Sequence, residues 1–94
     1  MTTQKIISLK EIAERSRQLR VEGRRVVLCH GTFDLMHTGH IRYLQRAKQE
    51  GDVLLVTVTG DAYVNKGPGR PVFNELLRAE NLAALACVDF VAVN

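Results

Sequence analysis

The chain has 94 residues, enough for one small domain. Its hydrophobic fraction of 46% and charged fraction of 24% are ordinary for a globular chain, and no apolar run approaches the roughly 20 residues that cross a bilayer. The net charge of +3 suits an anionic ligand, but without aromatic–basic interleaving it does not indicate nucleic acid. Because no signal segment or membrane span is visible, we expect a cytoplasmic protein with no membrane partner.

The first 24 residues are predicted to form an N-terminal helical extension. Ser8 is a candidate N-cap with Glu11 three residues later, and Gly23 is a candidate C-cap. Several arginines make this segment basic: Arg15, Arg17, Arg20, Arg24 and Arg25. Two interpretations stay open for them, a solvated helix face or a docking surface for an acidic partner.

Three apolar, β-branched runs predict strands that are buried on both faces, at residues 25–30, 52–59 and 87–93. Helical patterns lie between them, one ending near Gly51 and one running from Asn74 or Glu75 to Ala86. The apolar residues of the later helix are Leu76, Leu77, Leu82, Ala83 and Leu85. The order α-β-α-β-α-β predicts half of a doubly wound parallel sheet with right-handed crossovers.

The stretch GTFDLMHTGH, residues 31–40, links the first strand to the helix that follows, and we name it the histidine turn. In α/β folds an anion binds at such a place, against the N–H groups and positive dipole end of the helix. His37 and His40 are three residues apart, so a helix brings their Cβ atoms to roughly 5–6 Å on one face. Both imidazoles can then donate hydrogen bonds to one phosphate and stabilise charge that develops on it.

Other residues of the histidine turn have two interpretations each. Gly31 allows a close backbone approach, so the N–H groups of Thr32 and Phe33 could face phosphates; alternatively the trio is a tight turn with Phe33 in the core. Asp34 is expected to orient a histidine or to cap the helix. Residues 31–39 are not a Walker A loop, because no Gly-Lys-Ser/Thr follows.

The segment 60–71 is predicted to be a loop, since glycines and prolines interrupt regular structure there. Its cations Lys66 and Arg70 could close over a bound phosphate, or be incidental charges on a solvated loop. Arg78 lies in the following helix, where an ordinary interpretation is an exposed residue paired with Glu75 or Asp89.

Metal chemistry is not expected. Cys29 and Cys87 lie inside apolar runs and are predicted to be free, buried thiols. Cys29 and His30 alternate across a strand, so they cannot easily join the two histidines of the turn around one zinc ion. A metal-dependent hydrolase that uses those histidines is a remaining alternative, and it would require a bound transition metal.

His37-Thr38-Gly39-His40 matches the HxGH signature of the cytidylyltransferase-like nucleotidyltransferases, and the longer GTFDLxH lead-in behind a buried strand makes the match specific. The stretch resembles the branches containing glycerol-3-phosphate cytidylyltransferase and ADP-heptose synthase. The resemblance implies an α/β, Rossmann-like (HUP-type) three-layer sandwich with a parallel sheet, in which residues 25–94 are the N-terminal half of the family domain.

The resemblance also implies an enzyme that transfers CMP or AMP from CTP or ATP to a phosphorylated sugar or polyol and releases pyrophosphate. Mg²⁺ would be carried by the triphosphate. His37 and His40 would stabilise the transition state. By the same resemblance, the nucleotide would bind to Gly31, Thr32, Phe33 and both histidines. The residues expected to contact phosphate or substrate are Lys66, Arg70 and Arg78.

The sequence departs from the family in one respect, because the second signature, Ile-Ser-(Ser/Thr)-Thr, is not found in it. The chain is therefore expected to be a fragment or a shortened relative, and the alternative function is a nucleotide-binding module without turnover that acts in assembly or regulation. Related proteins imply a fused or separate sugar kinase as partner. A three-stranded sheet exposes edges, so we also expect a homo-oligomer.

Overall fold

A central parallel sheet organises the molecule in a computed structural model that describes residues 2–65 and 67–94. Its strands are β1 (Val26–Gly31), β2 (Val53–Val58) and β3 (Phe90–Val93), in the order β1-β2-β3 with both pairs parallel. Every residue of the central strand β2 is buried. Burial on both faces explains why its sequence is apolar apart from Thr57.

Two helices cover one face of the sheet. They are α2 (Thr38–Gln49) and α3 (Glu75–Ala83), which connect β1 to β2 and β2 to β3. Their buried side chains join those of β2 in one core, formed by Leu44, Leu82, Leu54, Val56 and Val58 among others. Both crossovers lie on the same face, as right-handed connections between successive neighbouring strands require.

The helix α1 (Leu9–Val21) covers part of the opposite face. Ile12 packs there with Val53, Leu55 and Ala92. Ser8 caps this helix by accepting the Glu11 N–H at 3.0 Å, as the sequence predicts. The segment that precedes β1 therefore supplies a layer of the fold, and the result is the three-layer α/β sandwich that the sequence predicts.

The outer edge of β3 is paired over a short length by the residues just before α1. Ile6 forms a parallel bridge with Val91, and the Ile7 N–H donates to the Val91 carbonyl at 2.9 Å. The outer edge of β1 has no such partner among residues 2–65 and 67–94. The two edges of the sheet are thus unequally covered.

Several predicted boundaries are wrong at the end of the chain. The helix α3 ends at Ala83 instead of Ala86, and β3 begins at Phe90 instead of Cys87. The connection between them is fixed by Asp89, whose N–H donates to the Leu54 carbonyl at 2.9 Å and whose carboxylate accepts the Leu54 N–H at 2.7 Å. The 3₁₀ turn Asp61–Tyr63 lies inside the segment that the sequence predicts to be a loop.

The buried face of α3 is not made of apolar residues alone. Leu76 and Leu77 are exposed, whereas Arg78 and Ala79 are buried with Leu82 on the stripe that faces the sheet. The buried face of α3 therefore includes an arginine, while two of its leucines lie outside that face. In the part of the chain that the structure describes, no helix has the length and apolar character needed to span a membrane.

Candidate functional site

The histidine turn lies at the carboxyl edge of the sheet, between β1 and the first turn of α2. His37 is the N-cap of α2, with extended backbone dihedrals, and the helix begins at Thr38. The helix is 12 residues long, so its N–H groups and macrodipole present a positive end at this edge. The structure thus places both predicted histidines at the start of α2.

The two imidazoles cap the helix reciprocally. Nδ1 of His37 accepts the Gly39 N–H at 2.9 Å, and Nδ1 of His40 accepts the His37 N–H at 3.1 Å. The ring centroids are 4.1 Å apart. Because a neutral imidazole carries its proton on the nitrogen that does not accept, both rings hold it on Nε2. Each histidine therefore has an Nε2–H donor of fixed tautomer at the helix N-terminus.

Gly39 is required by the position of the His37 ring. A Cβ built on Gly39 would lie 2.7 Å from Cε1 of His37 and 2.9 Å from its Nδ1. Those distances are far inside van der Waals contact, so any side chain at this position would push the imidazole away. The glycine between the two histidines therefore makes room for the cap.

Phe33 belongs to the core, as one of its two interpretations predicts. It is buried, and its ring lies against Gly31, where an added Cβ would be 2.9 Å from Cε2 of the ring. Its backbone has a φ of +51°, a left-handed conformation that is uncommon outside glycine. The Phe33 and His40 rings meet edge to face, with centroids 6.0 Å apart. Nucleotide contacts through Gly31, Thr32 and Phe33 stay a prediction.

Asp34 has a different role from either one expected. Its buried carboxylate accepts the backbone N–H groups of Val72 and Phe73, both at 2.8 Å, so it neither caps α2 nor orients a histidine. Burial alone would raise the pKa of Asp34, but those two hydrogen bonds and the charges of Arg70 and Arg78 outweigh it and lower the pKa. Asp34 therefore joins the histidine turn to the segment before α3 as a carboxylate.

Of the two loop cations, Arg70 lies within the described residues and Lys66 does not. Arg70 forms an ion pair with Asp34, its Nε lying 3.4 Å from Oδ2. That contact holds the side chain beside the histidine turn. Phosphate contacts by either residue stay predictions.

Arg78 is fully buried, which contradicts the ordinary interpretation of it as an exposed residue paired with Glu75 or Asp89. Its Nη1 donates to the Thr32 carbonyl at 2.9 Å and to the Thr59 carbonyl at 2.7 Å. Its Nε donates to the Phe73 carbonyl at 3.0 Å, and Nη2 pairs with Asp61 at 2.6 Å. The guanidinium therefore ties four separate segments together, and its contact with phosphate stays a prediction.

The cysteines and candidate metal ligands are dispersed. Cys29 and Cys87 are free thiols; Cys29 is buried in β1, whereas Cys87 precedes β3 instead of lying within it. Burial raises the pKa of the Cys87 thiol. Cys29 lies on the face of β1 that α2 covers, whereas the next residue, His30, is exposed. No group of three or more metal-ligating side chains occurs within 2–65 and 67–94.

Two features at this edge were missed from the sequence. One is Asp61, the ion-pair partner of Arg78. The other is a pair of polar contacts to His30, made by Thr57 in β2 and by Thr59 just after that strand. The parallel register places His30 directly beside Thr57. Alignment of the two predicted strands from their first apolar residues would have found that pair, but nothing local indicates the Arg78–Asp61 contact.

A parallel α/β sheet with a helix that begins at its carboxyl edge is the architecture in which many α/β proteins bind anionic ligands. The chain belongs to the cytidylyltransferase-like family, whose model matches residues 28–94. The resemblance inferred from the HxGH motif is thereby confirmed.

Relatives and a solved structure agree with that assignment. The chain is 44% identical over 88 residues to the bifunctional protein HldE of Syntrophotalea carbinolica and 45% identical over 91 residues to that of Geotalea uraniireducens. These alignments cover 92% and 95% of this chain but 17% and 19% of the relatives, so the chain spans about a fifth of their length. The crystal structure of the lipopolysaccharide core biosynthesis protein from Thermoplasma volcanium matches with a TM-score of 0.71 and 35% identity, over 77% of this chain and 59% of that one.

Proposed function

We propose that this domain transfers a nucleoside monophosphate, CMP or AMP, from a nucleoside triphosphate to a phosphorylated sugar or polyol. Membership of the cytidylyltransferase-like family supports the reaction class, and the name bifunctional protein HldE, carried by relatives at about 45% identity, agrees with an enzyme. The single observation that carries the proposal is the reciprocal histidine cap. It fixes two Nε2–H donors at the N-terminus of α2.

The donors suit a reaction at phosphorus. One oxygen of the acceptor phosphate forms a bond to the α-phosphorus of the triphosphate as the bond from that phosphorus to the bridging oxygen breaks. Pyrophosphate leaves with the electron pair of the broken bond. Negative charge on the non-bridging oxygens of the α-phosphate is then met by the Nε2–H groups of His37 and His40 and by the helix dipole.

The protein's contribution is positioning. Because each Nδ1 is engaged by a backbone N–H, the rings cannot turn without breaking a cap of α2. Donors that are already oriented need no reorganisation as charge develops, which is where electrostatic catalysis gains most. Neither histidine is required to form a covalent intermediate.

Mg²⁺ belongs to the proposal as an ion carried by the triphosphate. Asp34, the carboxylate nearest in sequence to the histidines, is occupied by two backbone N–H groups and Arg70, so it is not offered as a ligand. Within the described residues no acidic cluster forms a cage for the ion. This fits the usual behaviour of Mg²⁺, which binds chiefly through substrate phosphates and water in such sites.

Two partners follow from the same proposal. A sugar kinase, fused or separate, would supply the phosphorylated acceptor, and the word bifunctional in the relatives' name agrees with a second activity in those proteins. The uncovered edge of β1 supports association into a homo-oligomer, because exposed strand edges pair readily.

The proposal is tested by calorimetric titration with CTP and with ATP, each with magnesium, beside a pyrophosphate-release assay with sugar phosphate acceptors. We expect one triphosphate to bind and the double variant His37→Ala/His40→Ala to lose at least about tenfold in affinity. A second variant, His37→Asn, keeps a side-chain oxygen that can cap α2 but removes the Nε2–H. It should fold normally and still lose affinity.

The exposed Arg46 provides a matched control, since it lies on α2 and its nearest ion-pair contact, to Glu50, spans 4.0 Å. Arg46→Gln should leave binding unchanged. Unaltered binding in the histidine variants would contradict the proposal. Histidine-dependent binding without pyrophosphate release from any acceptor would instead support a nucleotide-binding module without turnover.

A further inference from the structure

A second polar cluster lies at the carboxyl edge, on the face of the sheet opposite α2 and α3. It surrounds a pocket of about 350 Å³ lined by His30, Thr59, Tyr63 and Asn94. These residues come from the end of β1, the end of β2, the 3₁₀ turn Asp61–Tyr63 and the residue after β3. Four separate segments therefore converge on one opening.

The cluster begins where this face of the sheet changes from apolar to polar. In β2, Val53 and Leu55 are buried beneath α1, and the next residue on that face is Thr57. Thr57 pairs with His30 across the parallel register, and its Oγ1 lies 2.7 Å from Nδ1 of the imidazole. The strand partner thus fixes the imidazole at the pocket.

The other imidazole nitrogen is less fully engaged. Nε2 of His30 is 3.4 Å from Oγ1 of Thr59, long for a hydrogen bond between such groups. Both atoms retain capacity for a ligand that can donate and accept, and hydroxyl groups do both. The Tyr63 ring, which is 77% exposed, adds an aromatic surface beside them. Hydroxyl, imidazole, amide and aromatic groups without a fixed charge favour a neutral, hydroxylated ligand over a phosphate.

The pocket is linked to the histidine turn through one atom. Nη1 of Arg78 donates both to the carbonyl of Thr32, in the histidine turn, and to the carbonyl of Thr59, at the pocket. The two sites are therefore neighbours on one buried scaffold. A ligand with a phosphate at one end and hydroxyl groups at the other matches this pairing.

We propose that the pocket around His30, Thr59 and Tyr63 binds the hydroxyl-bearing carbon chain of the acceptor while its phosphate reaches the histidine turn. The proposal rests on the proposed function and deepens it, since it assigns the acceptor's hydroxyl groups to residues of this chain. Thr57 is a positioning residue here, acting through the imidazole of His30.

The test compares two probes by calorimetry: glucose 1-phosphate and inorganic phosphate. The wild-type chain should prefer the sugar phosphate. Thr59→Val, which replaces the hydroxyl by a methyl of similar size, and Tyr63→Ala should each reduce that preference by about tenfold or less, as loss of one hydrogen bond or one packing surface predicts. Affinity for inorganic phosphate should not change. Because the Tyr63 side chain is exposed, Tyr63→Ala should leave the fold intact. Circular dichroism checks that the Thr59→Val variant is folded.

Three results would overturn the proposal: no preference for the sugar phosphate in the wild-type chain, no binding of either probe, or a preference that both variants keep. Titration of the same samples with CTP and ATP separates this outcome from failure of the proposed function. Nucleotide binding that depends on His37 but is indifferent to Thr59 and Tyr63 would support the nucleotide site alone. Arg46→Gln serves again as the unchanged control.

Discussion

Two polar regions meet at the carboxyl edge of the sheet, and their side chains are used in opposite ways. In the histidine turn, His37 is exposed, and Nδ1 of each ring accepts a backbone N–H group. The other region is centred on Arg78. This residue has no exposed surface, and its guanidinium donates to three carbonyls and a carboxylate. One region presents donors outward, and the other uses its donors to fasten the backbone.

The difference shows that charge alone does not identify a ligand contact. Arg78 and His37 are both cationic or potentially cationic residues near a proposed phosphate site, and both occur in the stretch that resembles a known family. Burial and the identity of the partners separate them. A buried guanidinium whose donors already bind carbonyls contributes to the frame, whereas an imidazole held by one nitrogen can bind a ligand through the other.

Removal of the buried guanidinium should have the greatest effect on stability. Arg78→Gln should lower the free energy of unfolding by about 3–5 kcal/mol, because the fully buried guanidinium is lost and Asp61 and three backbone carbonyls lose their partner. Urea denaturation measures the change. The exposed Arg46→Gln should cost about 0.5 kcal/mol or less. A small stability loss in Arg78→Gln combined with abolished triphosphate binding would instead make Arg78 a ligand contact.

The opposite behaviour is expected in the histidine turn. Gly39→Ala should displace the His37 ring, since the new Cβ would lie 2.7 Å from Cε1, and should weaken triphosphate binding by about tenfold. Stability should change by about 1 kcal/mol or less, because alanine is favoured over glycine within a helix. Calorimetry and denaturation of the same variant measure both quantities. Full-strength binding would show that the ring position is unimportant.

The smallest expected effect concerns Asp34, which connects the two regions. The folded state lowers the pKa of Asp34 below its ordinary value of 3.8, so the carboxylate stabilises the fold above that value, and this stabilisation is lost as pH falls through the folded pKa. In Asp34→Asn the free energy of unfolding should therefore depend less steeply on pH in acid. Denaturation midpoints from about pH 5 down to pH 2 measure the slope. An unchanged slope would contradict the assignment.

The histidine turn could be predicted from the sequence because its interactions are local. His37 contacts residues two and three positions away, and the strand before it and the helix after it have clear patterns. The order of strands and helices, and the parallel sheet, follow from the same kind of periodicity. These features confirm that short-range patterns are enough for the fold class and for the position of the turn.

The contacts of Arg78 and Asp34 could not be predicted in this way, because their partners are distant in sequence. Arg78 reaches Thr32 across 46 positions, and Asp34 reaches Val72 and Phe73 across 38 and 39. An arginine on a helix surface is ordinarily solvated, so its pattern gave no reason to expect burial. Leu76 and Leu77 are exposed on the same helix, so its hydrophobic pattern does not reveal that Arg78 is buried.

The short pairing of Ile6 and Ile7 with Val91 has a consequence for the handling of the protein. These residues cover the outer edge of β3, whereas β1 lies at the other side of the sheet without an equivalent cover in the described residues. Proteolytic trimming before α1 would therefore leave both margins of the sheet open to strand addition. Ile6 and Ile7 therefore protect the outer edge of β3 from strand addition. An expression tag placed before them should leave this pairing intact.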